Sequence, residues 1–400
     1  MTTIIEYVLL VLAGLLAVPV ITLVVEIIAA LILTKRGSTQ HMENAQQRRV
    51  CVLVPAHNES AGLLPTLENI KAQLQSADRL LVVADNCDDD TAAIAKAAGA
   101  EVVERHQPTR IGKGFALDLG LKHLSRDPPA IVIVIDADCR LASGAIDQLA
   151  MTCAMTRRPV QALDLMTAPD DSPVNYRVAE FAWRVKNWVR PLGLYALGLP
   201  CQLMGTGMAF PWDIIRTTGM ATTSIVEDLQ LGLDLAARGA APLFCPSAAV
   251  TSQFPMSAEG AEKQRKRWEE GHIKMIFGKI PSCIYKAITQ RNLGLLALTF
   301  DLAIPPLSLL VMLLTVVFFF AGLAALFGVP STSLIISGVC LSAVASTVFL
   351  SWLKWGRDVL PPSAMLSVAS YCVAKLPLYH HILSRSAASE WIRTDRKKKE

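Results

Sequence analysis

From Leu302 to Leu353 the chain carries no Asp, Glu, Lys or Arg. A stretch so long and so free of charge does not fit the core of a soluble domain. A spanning helix needs about 20 apolar residues, so there is room here for two. Gly328-Val-Pro-Ser-Thr-Ser333 puts turn-forming residues in its middle. Pro305–Phe327 and Leu334–Leu353 are therefore predicted to form a transmembrane hairpin within residues 304–354. Lys354 and Arg357 follow at once and mark the return to the side the hairpin started from.

A second apolar block lies near the N-terminus. Tyr7 to Val25 is uncharged, and the apolar character continues past Glu26 to Leu33 and closes on Lys35-Arg36. A secretory leader has its positive charge before the apolar stretch and a small-residue cleavage site after it. Here Glu6 comes first and the basic pair last, which predicts a retained anchor over residues 1–36, with the body that follows on the cytoplasmic side. Residues 271–303 mix apolar side chains with Lys274, Lys279, Lys286 and Arg291, the pattern of amphipathic interfacial helices. Ala364–Leu383 is apolar enough to span, but Lys375, Pro377 and His380-His381 interrupt it. A further span would also put the basic run Arg393–Lys399 outside. Residues 355–400 are therefore expected to be an interfacial helix and a basic cytoplasmic tail.

The overall composition, 52% hydrophobic and 18% charged, departs from the soluble average of about 45–50% and about 25%. It excludes disorder, a collagen-like fibre and a disulfide-stapled module. The net charge of +4 is too small to indicate nucleic acid. The clusters Lys35-Arg36, Arg48-Arg49 and Lys263–Arg267 suit solvated surface or the cytoplasmic face of a membrane. Nine cysteines are scattered singly without a C-x-x-C pair, which fits a reduced compartment.

Between the apolar blocks, residues 48–270 alternate strand and helix signals. Val50–Pro55, Arg79–Ala84, Glu101–Glu104 and Ala130–Ile135 are short apolar or β-branched runs. Ser60–Gln75, Thr91–Ala98 and Gly112–Leu124 have helical patterns. Repeated strand–helix units predict a parallel sheet with crossover helices. Ligands bind such sheets beyond the C-terminal ends of the strands.

Three of these strands deliver polar residues at that end: His57-Asn58-Glu59, Asp85-Asn86-Cys87-Asp88 and Asp136-Ala137-Asp138. Taken singly, an Asp after a strand is a turn residue or helix cap. Three converging ends point to a site, and two carboxylates two residues apart suit a hard divalent cation completed by water and phosphate oxygens. Arg110-Ile-Gly-Lys-Gly114 precedes a helix, where glycines permit close backbone approach and Lys113 adds charge for an anion. It lacks P-loop spacing, which disfavours a nucleotide hydrolase. Glu227-Asp228 opens a helical pattern, either as a dipole-favoured first-turn pair or as the source of a general base. Gln264-Arg-Lys-Arg267-Trp268 combines cationic and aromatic groups. It is either a basic interfacial patch or a platform for a phosphorylated leaving group and a ring-shaped acceptor.

In this order Val52-Leu-Val-Pro-Ala-His-Asn-Glu59, Asp85, Gly112-Lys-Gly114, Asp136-Ala-Asp138, Gly205-Thr-Gly207, Glu227-Asp228 and Gln264–Trp268 resemble the membrane-bound inverting glycosyltransferases of family 2, which include cellulose and hyaluronan synthases and ceramide glucosyltransferases. The resemblance covers about residues 50 to 270. It implies the GT-A fold: an α/β unit with a mixed, mostly parallel sheet and flanking helices, here joined to transmembrane helices. It further implies that Pro55, His57, Asn58, Glu59, Asp85, Lys113, Asp136, Gln264, Arg267 and Trp268 bind a nucleotide-sugar donor, with Asp85 at a uracil base. Asp138 and Asp136 would hold Mg2+ or Mn2+. Asp228, with Glu227, would be catalytic, and Gly205, Thr206, Gly207 and Trp268 would contact the acceptor. Two positions depart from the family pattern: Val226 stands where Thr is frequent before the acidic pair, and Asp85 is followed by Asn-Cys-Asp rather than Gly-Ser.

Three predicted spans are too few for one chain to enclose a sugar-wide pore. The expected reaction is therefore single transfer to a lipid or lipid-linked glycan at a bacterial inner membrane. The alternative is a processive polysaccharide synthase working with export partners or as a homo-oligomer. A transporter would need polar groups near the bilayer midplane, and the predicted hairpin has no charged one. A nucleotidyltransferase would share the sheet and the metal but leaves Gln264–Trp268 without a use.

Overall fold

A computed structural model describes residues 2–33, 49–222, 226–365 and 367–384. Lys35-Arg36, Arg48, Ser224 and the basic run Arg393–Lys399 lie outside the described residues.

Helix α1 (Thr2–Ile32) comes first and contains Pro19. Strands β1 (Val50–Ala56), β2 (Arg79–Asp85), β3 (Glu101–Arg105) and β4 (Ile131–Val134) follow. Between them lie α2 (Leu64–Lys71), α3 (Thr91–Ala97) and α4 (Lys113–Leu124). The chain continues through β5 (Arg140–Leu141), α5 (Ala145–Thr156), β6 (Val160–Thr167), α6 (Val174–Arg184), a π-turn (Val185–Val189) and α7 (Arg190–Ala196). Then come β7 (Met208–Pro211), α8 (Trp212–Ile215), α9 (Glu227–Ala237) and β8 (Leu243–Gln253). The last helices are α10 (Ala258–Thr289), α11 (Leu293–Leu302), α12 (Leu307–Leu326), α13 (Thr332–Trp355), α14 (Ser367–Ala374) and α15 (Leu376–Ser384).

The strands form one mixed, mostly parallel sheet in the order β3-β2-β1-β4-β7-β6-β8-β5. Only β7 and β5 run against their neighbours. Alternation along β1 explains the two cores. Val52 and Val54 pack with Leu67, Ile70 and Leu149 on one face, while Cys51 and Leu53 pack with Leu117, Phe210 and Leu231 on the other. The sheet is thus covered on both sides, as a mostly parallel sheet must be.

Helices α1, α12 and α13 are long and apolar enough to cross a membrane. α1 buries a stripe of Val20, Leu23, Ile27 and Ala30 against Leu310, Leu314, Val344 and Trp352. Val11, Leu15, Phe319, Phe320 and Val339 point outward. The segment after α13 forms two short helices that meet at Lys375. Helix α10 runs unbroken across residue 270 and carries Phe277, Tyr285 and Ile288 on its exposed side.

The body is keyed directly into these helices. Phe181, Val185 and Val189, around the π-turn, join the same apolar cluster as α1. Gly193 of α7 approaches α1 so closely that a Cβ there would sit 1.8 Å from the Glu26 carbonyl oxygen. Arg190 Nε donates to Glu26 Oε2 at 2.8 Å, and its Nη2 donates to Asp301 Oδ1 at 2.5 Å. All three residues are buried. One arginine therefore ties α1, the α/β body and the entry to the hairpin together. Removing one partner of such a buried network costs about 3–5 kcal/mol.

Candidate active site

The C-terminal ends of β1, β2 and β4 stand side by side because these strands pair in parallel register. Antiparallel β7 starts where β4 stops, with Val134 opposite Met208. This brings the loop before β7 against Asp136-Ala137-Asp138. The Asp136 backbone N–H donates to Thr206 Oγ1 at 3.1 Å. Gln161, fully buried in β6, accepts from the Met204 N–H and donates to the Thr206 carbonyl, each at 2.8 Å, and so pins that loop.

The loops after β1 and β2 are laced together. His57 Nδ1–H donates to the Asp85 carbonyl at 2.6 Å, and Asn58 Oδ1 accepts from the Asp88 N–H at 2.9 Å. Thr91 Oγ1 accepts from the N–H groups of both Glu59 and Ser60 at 2.9 Å. Asn58, Ser60 and Asn86 adopt positive φ of 52°, 47° and 51°, a cluster of backbone strain at one rim. Asp85 is buried, and its Oδ1 accepts from Arg105 at 2.5 Å.

Lys113, at the start of α4, pairs with Asp136 Oδ1 and donates to the Gly205 carbonyl at 2.7 Å. Glu227 and Asp228 begin α9, where Asp228 Oδ1 accepts from the Leu229 N–H at 2.9 Å. A Cβ on Gly205 would lie 3.4 Å from Asp228 Oδ2 and 3.7 Å from Lys113 Nζ. Asp136, Lys113 and Asp228 therefore meet around one loop. Burial pushes the Glu227 carboxyl up to about 7, and the neighbouring Asp228 charge adds to this. Burial also raises Asp228 above the usual carboxylate range, although its hydrogen bond from Leu229 and the charges of Lys113 and Lys186 oppose the rise. For Lys113, burial works against the charged form, but Asp136 and Glu227 outweigh it and raise the ammonium.

Gln264, Arg267 and Trp268 share one helical face of α10, three and four residues apart. Trp268 packs on Trp183 with ring centroids 5.0 Å apart. Pro55, His57, Asn58, Glu59, Asp85, Lys113, Asp136, Asp138, Gly205, Thr206, Glu227, Asp228, Gln264, Arg267 and Trp268 all line one cavity of about 770 Å³. Gly207 does not line it. It sits behind the wall against Ala162 and Val250, so the acceptor contact expected for it is replaced by a packing role.

The far side of this cavity was not anticipated from sequence. It is lined by Asp164, Trp183, Lys186, Asn187, Arg190, Gln202, His272 and Asp301. Asp164 Oδ2 accepts from Asn187 Nδ2 at 2.9 Å, and burial pushes its carboxyl up to about 7. His272 Nε2–H donates to the Leu302 carbonyl at 3.0 Å, and burial takes the imidazole down to about 3, so it is neutral. Two signals were available. Asp164 is a charge inside the otherwise uncharged run Val160–Met166, and Pro191 interrupts a helical pattern. Without an N–H, Pro191 cannot bond to the Asn187 carbonyl as an α-helix requires. The helix widens instead, and Arg190 N–H donates to Val185 O, five residues back. Such π-turns are frequent at functional sites.

Asp136 and Asp138 offer hard carboxylate oxygens at the cavity wall. Among the described residues no group of three or more His, Cys, Asp or Glu forms a ready metal cluster. The pair fits a hard cation whose remaining ligands come from a phosphorylated substrate and water.

A family profile described as glycosyltransferase like family 2 matches residues 47–271. Glucosyl-3-phosphoglycerate synthase of Mycobacterium tuberculosis is 38% identical over 97 residues, 23% of this chain and 29% of that enzyme. An uncharacterised glycosyltransferase of Mycobacterium bovis is 38% identical over 100 residues, 25% of this chain and 41% of the relative. The chain thus spans less than half the length of these curated relatives. The mannosyltransferase PcManGT of Pyrobaculum calidifontis, solved in complex with GDP-Man and Mn2+, superposes with a TM-score of 0.55 at 17% identity. That match covers 95% of this chain and 99% of the other, and it shows a common fold.

Proposed function

The chain belongs to glycosyltransferase-like family 2 and is a glycosyltransferase, and from that premise we propose that it moves a sugar, with inversion, from a UDP-sugar to a lipid or lipid-linked glycan held at the membrane. The observation that carries this reading is the single cavity. The strand-end carboxylates and the Gln264–Trp268 face open into it, and it extends to Asp301 and Leu302 at the end of α11, just before the membrane hairpin.

Asp85 and the His57–Glu59 loop would hold the base, and Lys113, Arg267 and Gln264 the diphosphate. Asp136 and Asp138 would hold Mg2+ or Mn2+, which when bound neutralises the charge of the leaving diphosphate. Lys113 already pairs with Asp136 and would turn part of its charge to the donor. Asp228 would take the proton of the attacking hydroxyl. Its raised proton affinity suits that task, because a base works best with a pKa near the operating pH. Gly205 and Thr206, on the pinned loop, would bound the acceptor beside Asp228. The body would face the cytoplasm, which a topology reporter fused near residue 400 tests.

The decisive experiment is a donor panel on the full chain with Mn2+, reading released nucleotide with and without membrane lipid. Release of UDP from a UDP-sugar, stimulated by lipid, is expected; turnover of GDP-sugars alone would overturn the choice of base. A ladder of oligomeric products from purified protein would favour the processive alternative, acting with export partners or as a homo-oligomer.

A further inference from the structure

We propose that Asp164, Gln202, Asn187 and Lys186, beside the face of Trp183, form a subsite for a sugar ring of the acceptor, so that the acceptor is a glycosylated lipid rather than a bare lipid alcohol or a lipid phosphate. The proposal rests on the reading above, in which the membrane side of the cavity receives the acceptor.

The first observation is a pair of buried oxygens without a donor. Asp164 is 2% exposed; its Oδ2 is taken by Asn187, while Oδ1 has no hydrogen-bond partner among the described residues. Gln202 is 9% exposed; its Nε2 donates to the Leu298 carbonyl at 2.8 Å, which fixes the amide orientation and leaves Oε1 without a partner. Both residues line the same cavity. A buried polar atom left unsatisfied is costly, so two acceptors lining one cavity ask for a ligand that brings donors.

The second observation is what stands beside them. Lys186 projects into the cavity with its Nζ 5.4 Å from the centre of the Trp183 ring, and it makes no ion pair among the described residues. Trp183 is held by its Nε1–H, which donates to the Asp164 carbonyl at 3.1 Å, and by its packing on Trp268. The π-turn supplies both Lys186 and Asn187 to this wall. A fixed aromatic face, a carboxylate, two amides and an ammonium match a pyranose, which has an apolar C–H face and a rim of adjacent hydroxyls.

The competing acceptors match less well. A lipid alcohol has one hydroxyl, which Asp228 would claim, and Asp164 and Gln202 would keep their unmet oxygens. A lipid phosphate would bring acceptor oxygens rather than donors, and negative charge beside Asp164 and Asp228; of the cavity's cations Lys186, Lys113 and Arg267 would oppose it, while Arg190 is already paired with Glu26 and Asp301.

The test uses the full chain in amphipol, titrated below their critical micelle concentrations with octyl glucoside, octyl galactoside, octyl mannoside, octyl phosphate and tetraethylene glycol monooctyl ether. Quenching of tryptophan fluorescence reports binding. At least one octyl glycoside is expected to bind tenfold or more tightly than the glycol ether and the phosphate. Asp164→Ala and Gln202→Ala should each weaken it about tenfold. Lys186→Gln, whose side chain stands in open cavity and not in the core, gives the same reading if Asp164→Ala fails to fold. UDP with Mn2+ is titrated in parallel and should bind wild type and variants alike. Equal binding of all octyl compounds, tighter binding of octyl phosphate, or variants that bind the glycoside like wild type would overturn the subsite. Failure of UDP to bind wild type would instead overturn the donor reading and leave the glycoside result to stand alone.

Discussion

The two sides of the cavity hold charge in different ways. At the strand ends, Lys113, Asp136, Glu227 and Asp228 are half-buried on loops and first helical turns, and Lys113, Asp136 and Asp228 meet at one loop, Gly205–Thr206. At the membrane side, Arg190 is clamped between Glu26 and Asp301, and no member of that trio is more than 7% exposed. The first set is arranged so that protons and counter-charges can change hands as a charged substrate enters. The second is already ion-paired within the fold and ties three segments distant in sequence. Charge serves turnover in one place and assembly in the other.

Asp228→Asn probes the first side most severely. Loss of a general base should lower kcat by roughly 10²–10⁴-fold, with UDP binding and thermal midpoint near wild type; a variant that keeps near-normal transfer would remove Asp228 from the chemistry. Arg190→Gln probes the second. It should destabilise the protein by about 3–5 kcal/mol, seen as poor recovery of folded membrane protein, and the loss should occur even with donor bound. If Arg190→Gln folds normally and only slows transfer, the contrast between the two sides collapses.

A pH profile sharpens the comparison. Because burial raises Asp228, activity should fall on the acid side at a pH above the ordinary carboxylate range. Lys186→Gln removes a positive neighbour that holds the Asp228 proton affinity down, so the acid limb should move to higher pH. The smallest effect is on stability. Burial raises Asp164 to about 7 in the folded protein, against about 3.9 when unfolded. The native state therefore binds the extra proton, and stability is lost as pH rises through that window. Asp164→Asn should melt a few degrees higher than wild type at pH 8 and show no such gain at pH 4.

The strand-end side was largely legible because its signals are local. Asp136 and Asp138 are two residues apart, Glu227 and Asp228 are adjacent, and Gln264 to Trp268 fall within one helical turn and a little more. Gly207 misled because it lies next in sequence to Thr206, yet the turn into β7 points it at Ala162 and Val250. The membrane side stayed hidden because each member looked incidental. Asp301 was only the last charge before an uncharged stretch, Glu26 an interruption in an anchor, and Asp164 one acidic residue in a strand. The meaning of Glu26 and Asp301 depends on contacts across more than a hundred residues, and that of Asp164 on the π-turn 23 residues further on.

Hydropathy and periodicity sum over neighbours in sequence, and so the amino-acid order alone determined the apolar segments, the strand–helix alternation of the body and the identity of its strand-end carboxylates. Which strands lie side by side, and which helix passes beneath them, depends on long-range pairing and packing. Only the tertiary structure decided that β7 enters antiparallel beside β4, that Pro191 opens a π-turn into the cavity, and that the carboxylate of the membrane anchor closes on an arginine of the catalytic body.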